Sequence, residues 1–259
     1  LTTGRTVKFF LKGTLDEGWQ LLESRGVIPL YGEQNADGDA VLFARLPEEL
    51  VESPLPFQWE EASLPDVDWN QQWEAHAPGY EEGFITIPIS GCEEVRLRPG
   101  PGFGDLSHPS TCVMLEMMRD IVAGRSVVDV GCGSGILSLC AAALGSTEVY
   151  GIDIDSEALL HAEDNRRHNR MKNVRFSFPD ELLFVPANPV ILMNMIQSEQ
   201  TAAWESLSQL HRLKATIITS GVLPKDRKKY LEQAESWNWT LKRSVEKEGW
   251  LGFIFDQSH

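Results

Sequence analysis

The stretch VVDVGCGSGILSL, residues 127–139, sets an apolar run of strand length directly before three glycines at alternate positions, Gly131, Gly133 and Gly135, and a helical pattern after them. A buried strand that turns at once into a helix belongs to an α/β sheet covered on both faces. Glycines at the turn permit left-handed angles and let a ligand approach backbone where a Cβ would collide. Their spacing limits the ligand. A dinucleotide loop, GxGxxG, counted from Gly131 needs its third glycine where Ile136 stands; the chain reads GxGxG. No Lys-Ser/Thr pair follows, which excludes a triphosphate-binding P-loop. The next apolar run, EVYGIDI, ends at Asp153, about twenty residues on, where a carboxylate accepts both hydroxyl protons of a ribose. Asp155, followed by Ser156 and Glu157, fits a helix cap instead. The loop therefore predicts a nucleoside ligand.

Around this loop, apolar strands alternate with helices: SVVDVGC, GILSLCAAALG, EVYGIDI, SEALLHAEDNRRHN, VRFSF, PVILMNMI, a helix near TAAWESLSQLHRL, ATIITSGV, PKDRKKYLEQAESW and TLKRSVEKEGWLGFIF. That order predicts a mainly parallel sheet with ligands at the carboxyl ends of its strands. FITIPI and EEVRLRPG precede it as strands. The beginning of the chain differs in pattern. RTVKFFLKG alternates like a strand, LDEGWQLLESRG has helical spacing closed by Gly26, and IPLYGEQNADGDAVLFARL reads as two strands about an Asn/Asp/Gly turn. The Pro-rich and acidic segment after it marks a boundary. The expected organisation is a small α/β domain over 1–60, an acidic linker with a short helix, DWNQQWEAHA, over 61–77, and a ligand-binding domain over 78–259.

Composition removes several function classes. No run approaches the about 18 apolar residues of a membrane helix, and LTTGRTVKFFLKG lacks a small-residue cleavage site and reads as a first strand; a cytoplasmic protein is expected. With 38 acidic against 23 basic residues the net charge is −15, which opposes sequence-independent attraction to nucleic acid. The excess acid serves solubility, and in recognition it favours a basic partner. Cys92, Cys112, Cys132 and Cys140 show no metal-type spacing, so free buried thiols are expected, with neither a metal site nor a disulfide framework.

VVDVGCGSGILSLCAAALGSTEVYGIDID resembles the S-adenosylmethionine-binding signature of class I methyltransferases. Within these the chain is similar, over nearly its full length, to the PrmA-type ribosomal protein methyltransferases. WEEASLPDVDWNQQWEAHAPG resembles that family's acidic linker and Trp-containing helix, and RLRPGPGFGDLSHPST its PGxxFGTGxHxTT segment. VILMNMI resembles the strand ending in VANI, SGVLPKD the SGIL stretch, and VEKEGWLGFIF the last strand. Protein arginine methyltransferases share a similar glycine stretch, but they carry two glutamates on a hairpin; NMIQSEQTAAW supplies only Glu199.

The resemblance implies a Rossmann-like sheet with one antiparallel edge strand, a ferredoxin-like first domain, S-adenosylmethionine as cofactor, and a monomer that methylates lysine or N-terminal amines of a basic ribosomal protein. Carried over by position, cofactor contacts fall on Thr111, Gly131, Gly133, Asp153 and Asn194, with Asn194 and His108 at the chemistry. The residues themselves leave alternatives. Thr111 could equally cap a helix CVMLEMMRD, His108 could brace the loop, and Asp180 could be a cap or an adenine contact. Asn194 ends a buried strand, where a lone amide belongs to a cleft more readily than to a core. One departure stands out: GDLSH replaces the family's GTGTH, with Asp105 and Leu106 where Thr and Gly are usual. It leaves open a methyltransferase for a small amine or another protein, or a non-catalytic binding module.

Overall fold

The computed structural model describes residues 4–34, 40–47, 50–51, 54–63, 80–90, 93–100, 108–182 and 185–258. The expected linker helix, the Asn/Asp/Gly turn, Cys92, Asp105 and Leu106 lie outside these. The chain divides into two compact units, Leu1–Asp68 and Trp69–His259.

In the first unit β1 (Gly4–Leu11), α1 (Leu15–Glu23), β2 (Ile28–Gln34), β3 (Ala40–Pro47) and β4 (Gln58–Glu61) form an antiparallel sheet of order β2-β3-β1-β4 with a helix packed on it. Alternation in β1 sends Val7, Phe9 and Leu11 inward to meet Leu22 of α1 and Leu42, Ala44 and Leu46 of β3. Thr14 starts α1 with a capping box, its hydroxyl accepting from Glu17 N while the Glu17 carboxylate accepts from Thr14 N.

The second unit begins with a three-stranded antiparallel sheet of β5 (Tyr80–Glu81), β6 (Phe84–Ser90) and β7 (Glu93–Leu97). There follow α2 (Pro109–Met118), β8 (Val127–Val130), α3 (Ile136–Ala143), β9 (Val149–Ile152), α4 (Ser156–His168), β10 (Val174–Ser177), β11 (Val190–Asn194), α5 (Gln197–Ser206), β12 (Ala215–Val222), α6 (Arg227–Ser236), β13 (Trp239–Lys247) and β14 (Trp250–Gln257). The large sheet has the order β10-β9-β8-β11-β12-β14-β13. β8 to β12 pair in parallel and β14 runs antiparallel to both its neighbours. Successive strand residues serve opposite faces. Val127, Leu192 and Ile218 join α2 and α3 in one core, while Val128, Ile191 and Ile217 join Trp204 of α5 and Tyr230 of α6 in the other. This is the Rossmann-like arrangement expected of a class I methyltransferase.

Two details differ from expectation. The antiparallel strand is not at the edge: β13 and β14 form a hairpin whose two turn residues, Glu248 and Gly249, have φ of 49° and 79°. Its apolar arm, WLGFIFDQ, is drawn inside next to β12, and the charged arm, WTLKRSVEK, takes the edge, where charge discourages further strand pairing. The helix expected near residues 201–213 begins at Gln197 and ends at Ser206, because Leu207 and Leu210 turn back into the core instead of continuing it. Among the described residues, no helix is long and apolar enough to cross a membrane.

Candidate functional site

Strand order reverses at β8, with β9 and β10 on one side and β11 and β12 on the other, so a crevice opens between the carboxyl ends of β8 and β11. The glycine loop leaves β8 there. Gly131, Gly133 and Gly135 have φ of 69°, 53° and 81°, the left-handed region closed to most side chains. Gly135 is also a packing site, since a Cβ on it would lie 2.8 Å from Phe176 and 3.1 Å from Ala162. The loop is pinned to β9 by Gly131 N and Cys132 N, which donate to Ile152 O at 2.8 and 3.1 Å.

Asp153 follows β9. Its Oδ2 accepts from Gly133 N at 2.9 Å and its Oδ1 from Asp155 N at 3.0 Å. Each oxygen has a second lone pair, so the carboxylate is fixed yet able to accept two hydroxyls. Asp155 caps α4, its Oδ1 accepting from Glu157 N at 2.9 Å, as the sequence suggested for that acid. Beside them Ile154 is 86% exposed, and Phe178, just past the neighbouring strand β10, is exposed as well. Both exposed apolar residues thus stand next in sequence to the pair Asp153 and Ser177, which are joined by a backbone hydrogen bond of 3.3 Å. Asp180 is an exposed residue of the short 3₁₀ turn Pro179–Glu181, whose cap is Phe178.

Asn194 closes β11 on the other lip of the crevice and is 9% exposed. Its Nδ2 donates to Thr111 Oγ1 at 3.3 Å, while its buried Oδ1 takes no hydrogen bond from any described residue. A buried acceptor without a donor is destabilising by about 1–3 kcal/mol, and among the unpartnered buried polar atoms this oxygen belongs to the residue that ends β11 beside the crevice. Thr111 is fully buried in the first turn of α2 and is not the cap. Proline is favoured at the first helical position, and Pro109 takes it, which moves the cap to His108.

His108 Nδ1 accepts from Ser110 N at 3.3 Å and lies 2.7 Å from Ser110 Oγ, and its ring meets Trp250 at 4.8 Å between centroids. With Nδ1 engaged as the cap, His108 has the geometry of a brace. Glu199, on the first turn of α5, is raised above the usual carboxylate range by desolvation and by the like charge of Asp153, against a hydrogen bond from Ile196 N–H. That bond ties Glu199 to the N-cap residue Ile196 at the start of α5.

Sequence reasoning missed two residues. Asp129 stands inside the buried strand VVDV, 1% exposed, its Oδ2 accepting from Ser138 Oγ at 2.7 Å. Burial above all, with a smaller effect of Asp153, raises its pKa to about 7. The signal was an acid in an otherwise apolar strand. Asn165, fully buried on α4, accepts from Arg98 N at 2.8 Å and donates to Ser134 O at 3.0 Å, tying the glycine loop to the end of β7. Asn169 repeats the clamp one turn later, accepting from Arg96 N at 2.9 Å and donating to Arg96 O at 2.7 Å.

The family model described as "Ribosomal protein L11 methyltransferase (PrmA)" matches residues 16–258. Curated relatives named ribosomal protein L11 methyltransferase include that of Alteromonas mediterranea, 30% identical over 228 residues, which are 84% of this chain and 77% of the relative. That of Teredinibacter turnerae is 30% identical over 246 residues, 90% of this chain and 79% of the relative. The crystal structure of a ribosomal protein L11 methylase from Lactobacillus delbrueckii subsp. bulgaricus shares the fold, with a TM-score of 0.57 at 23% identity over 67% of this chain and 99% of that one. Because the family match runs far beyond the glycine loop, through both units, the chain belongs to the ribosomal protein L11 methyltransferase (PrmA) family.

Proposed function

We propose that this methyltransferase moves a methyl group from S-adenosylmethionine to amines of ribosomal protein L11, lysine side chains or the N-terminal amine. The observation that carries the reading is the Asn194 carboxamide, whose nitrogen is held by Thr111 and whose buried oxygen is left to accept. S-adenosylmethionine is the cofactor of the family, and the crevice fits it. Asp153, anchored through both oxygens, would take the ribose hydroxyls; Ile154 and Phe178 would flank the adenine; the left-handed turn at Gly131 and Gly133 would receive the amino-acid end. When bound, the cofactor supplies a methyl group on a cationic sulfonium, open to direct displacement.

The chain's own residues then have to align and desolvate. Asn194 Oδ1 accepts an N–H of the incoming amine, which turns the nitrogen lone pair toward the methyl group. Exclusion of water from the crevice disfavours the ammonium form and lowers the amine pKa, so the nucleophile arrives neutral. Thr111 keeps the carboxamide from rotating, and His108 with Trp250 braces the helix that carries Thr111. Residues 1–60 act as the recruiting domain for the basic substrate, and the net charge of −15 favours that encounter.

The test uses labelled cofactor, the full chain and purified L11, alongside a whole-cell extract. Label in L11 amines is expected, with Asn194→Ala lowering kcat by about a hundredfold, the scale set by loss of alignment. Full turnover by Asn194→Ala, or label in a small amine in place of L11, would end this reading.

A further inference from the structure

A second set of polar side chains lies beneath the turn that carries Asn194. Gln200 on α5, Tyr230 on α6, and Thr219 and Ser220 on β12 are all fully buried. Gln200 Nε2 donates to the Met195 carbonyl at 2.8 Å and to the Ser220 carbonyl at 2.9 Å. Its Oε1 lies 2.6 Å from the Tyr230 hydroxyl, which is 2.7 Å from Thr219 Oγ1. An amide oxygen only accepts, so the single phenolic proton goes to Gln200 and the Thr219 hydroxyl donates to the phenol oxygen. The chain of bonds therefore has one direction, from Thr219 through Tyr230 and Gln200 to two backbone carbonyls. Burial holds the Tyr230 hydroxyl well above its usual range, so it stays a donor.

The carbonyl that Gln200 grips belongs to the residue after Asn194. It is confined by β12 as well: Gly221, with φ of 94°, meets it with a bare Cα, and any Cβ there would overlap Met195 O. The Met195 side chain in turn rests on Gly131, so this one peptide touches both lips of the crevice. A glutamine and a tyrosine buried together are a poor way to stabilise a core, since apolar residues of the same shape do as well or better. What they offer is fixed direction. We propose that Gln200 and Tyr230 are positioning residues for methyl transfer, which lock the Met195 peptide and through it the Asn194 carboxamide that faces the amine. The proposal rests on the reading of Asn194 given above.

The experiment compares the full chain with Tyr230→Phe and with the double variant Gln200→Leu/Tyr230→Phe. Phenylalanine keeps the ring against Phe253, 5.1 Å away, and removes only the hydroxyl. Three quantities are read: S-adenosylmethionine affinity by calorimetry, kcat and KM for free L11, and the midpoint of urea unfolding. In Tyr230→Phe, kcat should fall about tenfold through lost alignment, with cofactor affinity and KM within about twofold. The double variant removes the amide oxygen that Tyr230→Phe strands but also leaves the Met195 and Ser220 carbonyls without the Gln200 donor, so its midpoint should fall further while its kcat stays low. A kcat unchanged in both variants, or one that falls only together with cofactor affinity and KM, overturns the proposal.

Should the double variant not fold, the Asn194 side-chain amide signal in a nitrogen-15 spectrum of Tyr230→Phe decides. A shifted or broadened signal supports the network; an unmoved one overturns it. That signal is read without substrate. Wild-type chain that binds cofactor but labels no L11 would therefore sink the substrate reading while the amide signal still decides the positioning role.

Discussion

Asp129, inside β8, and Asp153, just past the neighbouring β9, are two acids with opposite surroundings. Asp153 is met by two backbone N–H groups, and Asp129 lies in the sheet with the Ser138 hydroxyl as its short partner. The folded chain therefore holds a proton on Asp129 up to about pH 7, where the unfolded chain has released it near 3.8. Between those values the folded state binds more protons, so this group lowers stability as pH rises through the window, by about 1.4 kcal/mol for each step of one in pH. Above about pH 7 the loss is complete. Asp129→Asn keeps an acceptor for Ser138 and cannot ionise. Its stability relative to wild type, measured by urea unfolding, should climb from pH 4 to pH 7 and level off. A difference that does not vary with pH would mean that burial does not retain the proton.

At the scale of elements, the glycine loop, β7 and α4 act together through Asn165. Its hydrogen bonds with Arg98 N–H and Ser134 O replace those that backbone at the end of β7 and in the loop would otherwise make with a strand. Asn165→Ala leaves Arg98 N–H and Ser134 O without that partner. Unfolding by urea should show a loss of about 2–3 kcal/mol, in the range for stranded buried polar groups. Calorimetry should show weaker S-adenosylmethionine binding as well, because Ser134 lies between two of the left-handed glycines. A stability loss with unchanged cofactor affinity would make Asn165 a structural clamp only. Residues of this kind were hard to read from the sequence. Two asparagines four apart in SEALLHAEDNRRHN look like a solvated helix face until β7 is laid against them. The alternative that Thr111 caps α2 fails for a related reason: Thr111 has a capping chemistry, but Pro109 dictates where the first turn begins and leaves the cap to His108.

For the whole molecule, each unit has a separate apolar core, one built on Val7, Phe9 and Leu42, the other on both faces of the large sheet. A fragment of residues 69–259 should then unfold cooperatively and bind S-adenosylmethionine about as well as the full chain, while methylation of L11 falls by about a hundredfold or more as recruitment is lost. Circular dichroism, calorimetry and label transfer measure the three. Equal methylation of L11 by fragment and full chain would remove the recruiting role from residues 1–60.

The sequence by itself determined the parallel α/β sheet, the glycine loop at the end of its central strand, the acid at the end of the next strand and the cap beside it. These are local facts: strand-length apolar runs, three glycines at a turn whose positive φ glycine adopts without strain, and carboxylates at fixed distances along the chain. Tertiary structure alone decided the rest. It brought Thr111 to Asn194 across eighty-three positions of sequence, drew β14 inside the sheet because its residues are the more apolar of the hairpin, and gave Gln200 and Tyr230 a common carbonyl to hold. No period or motif encodes such meetings, because they depend on which side chains several packed elements bring to one point.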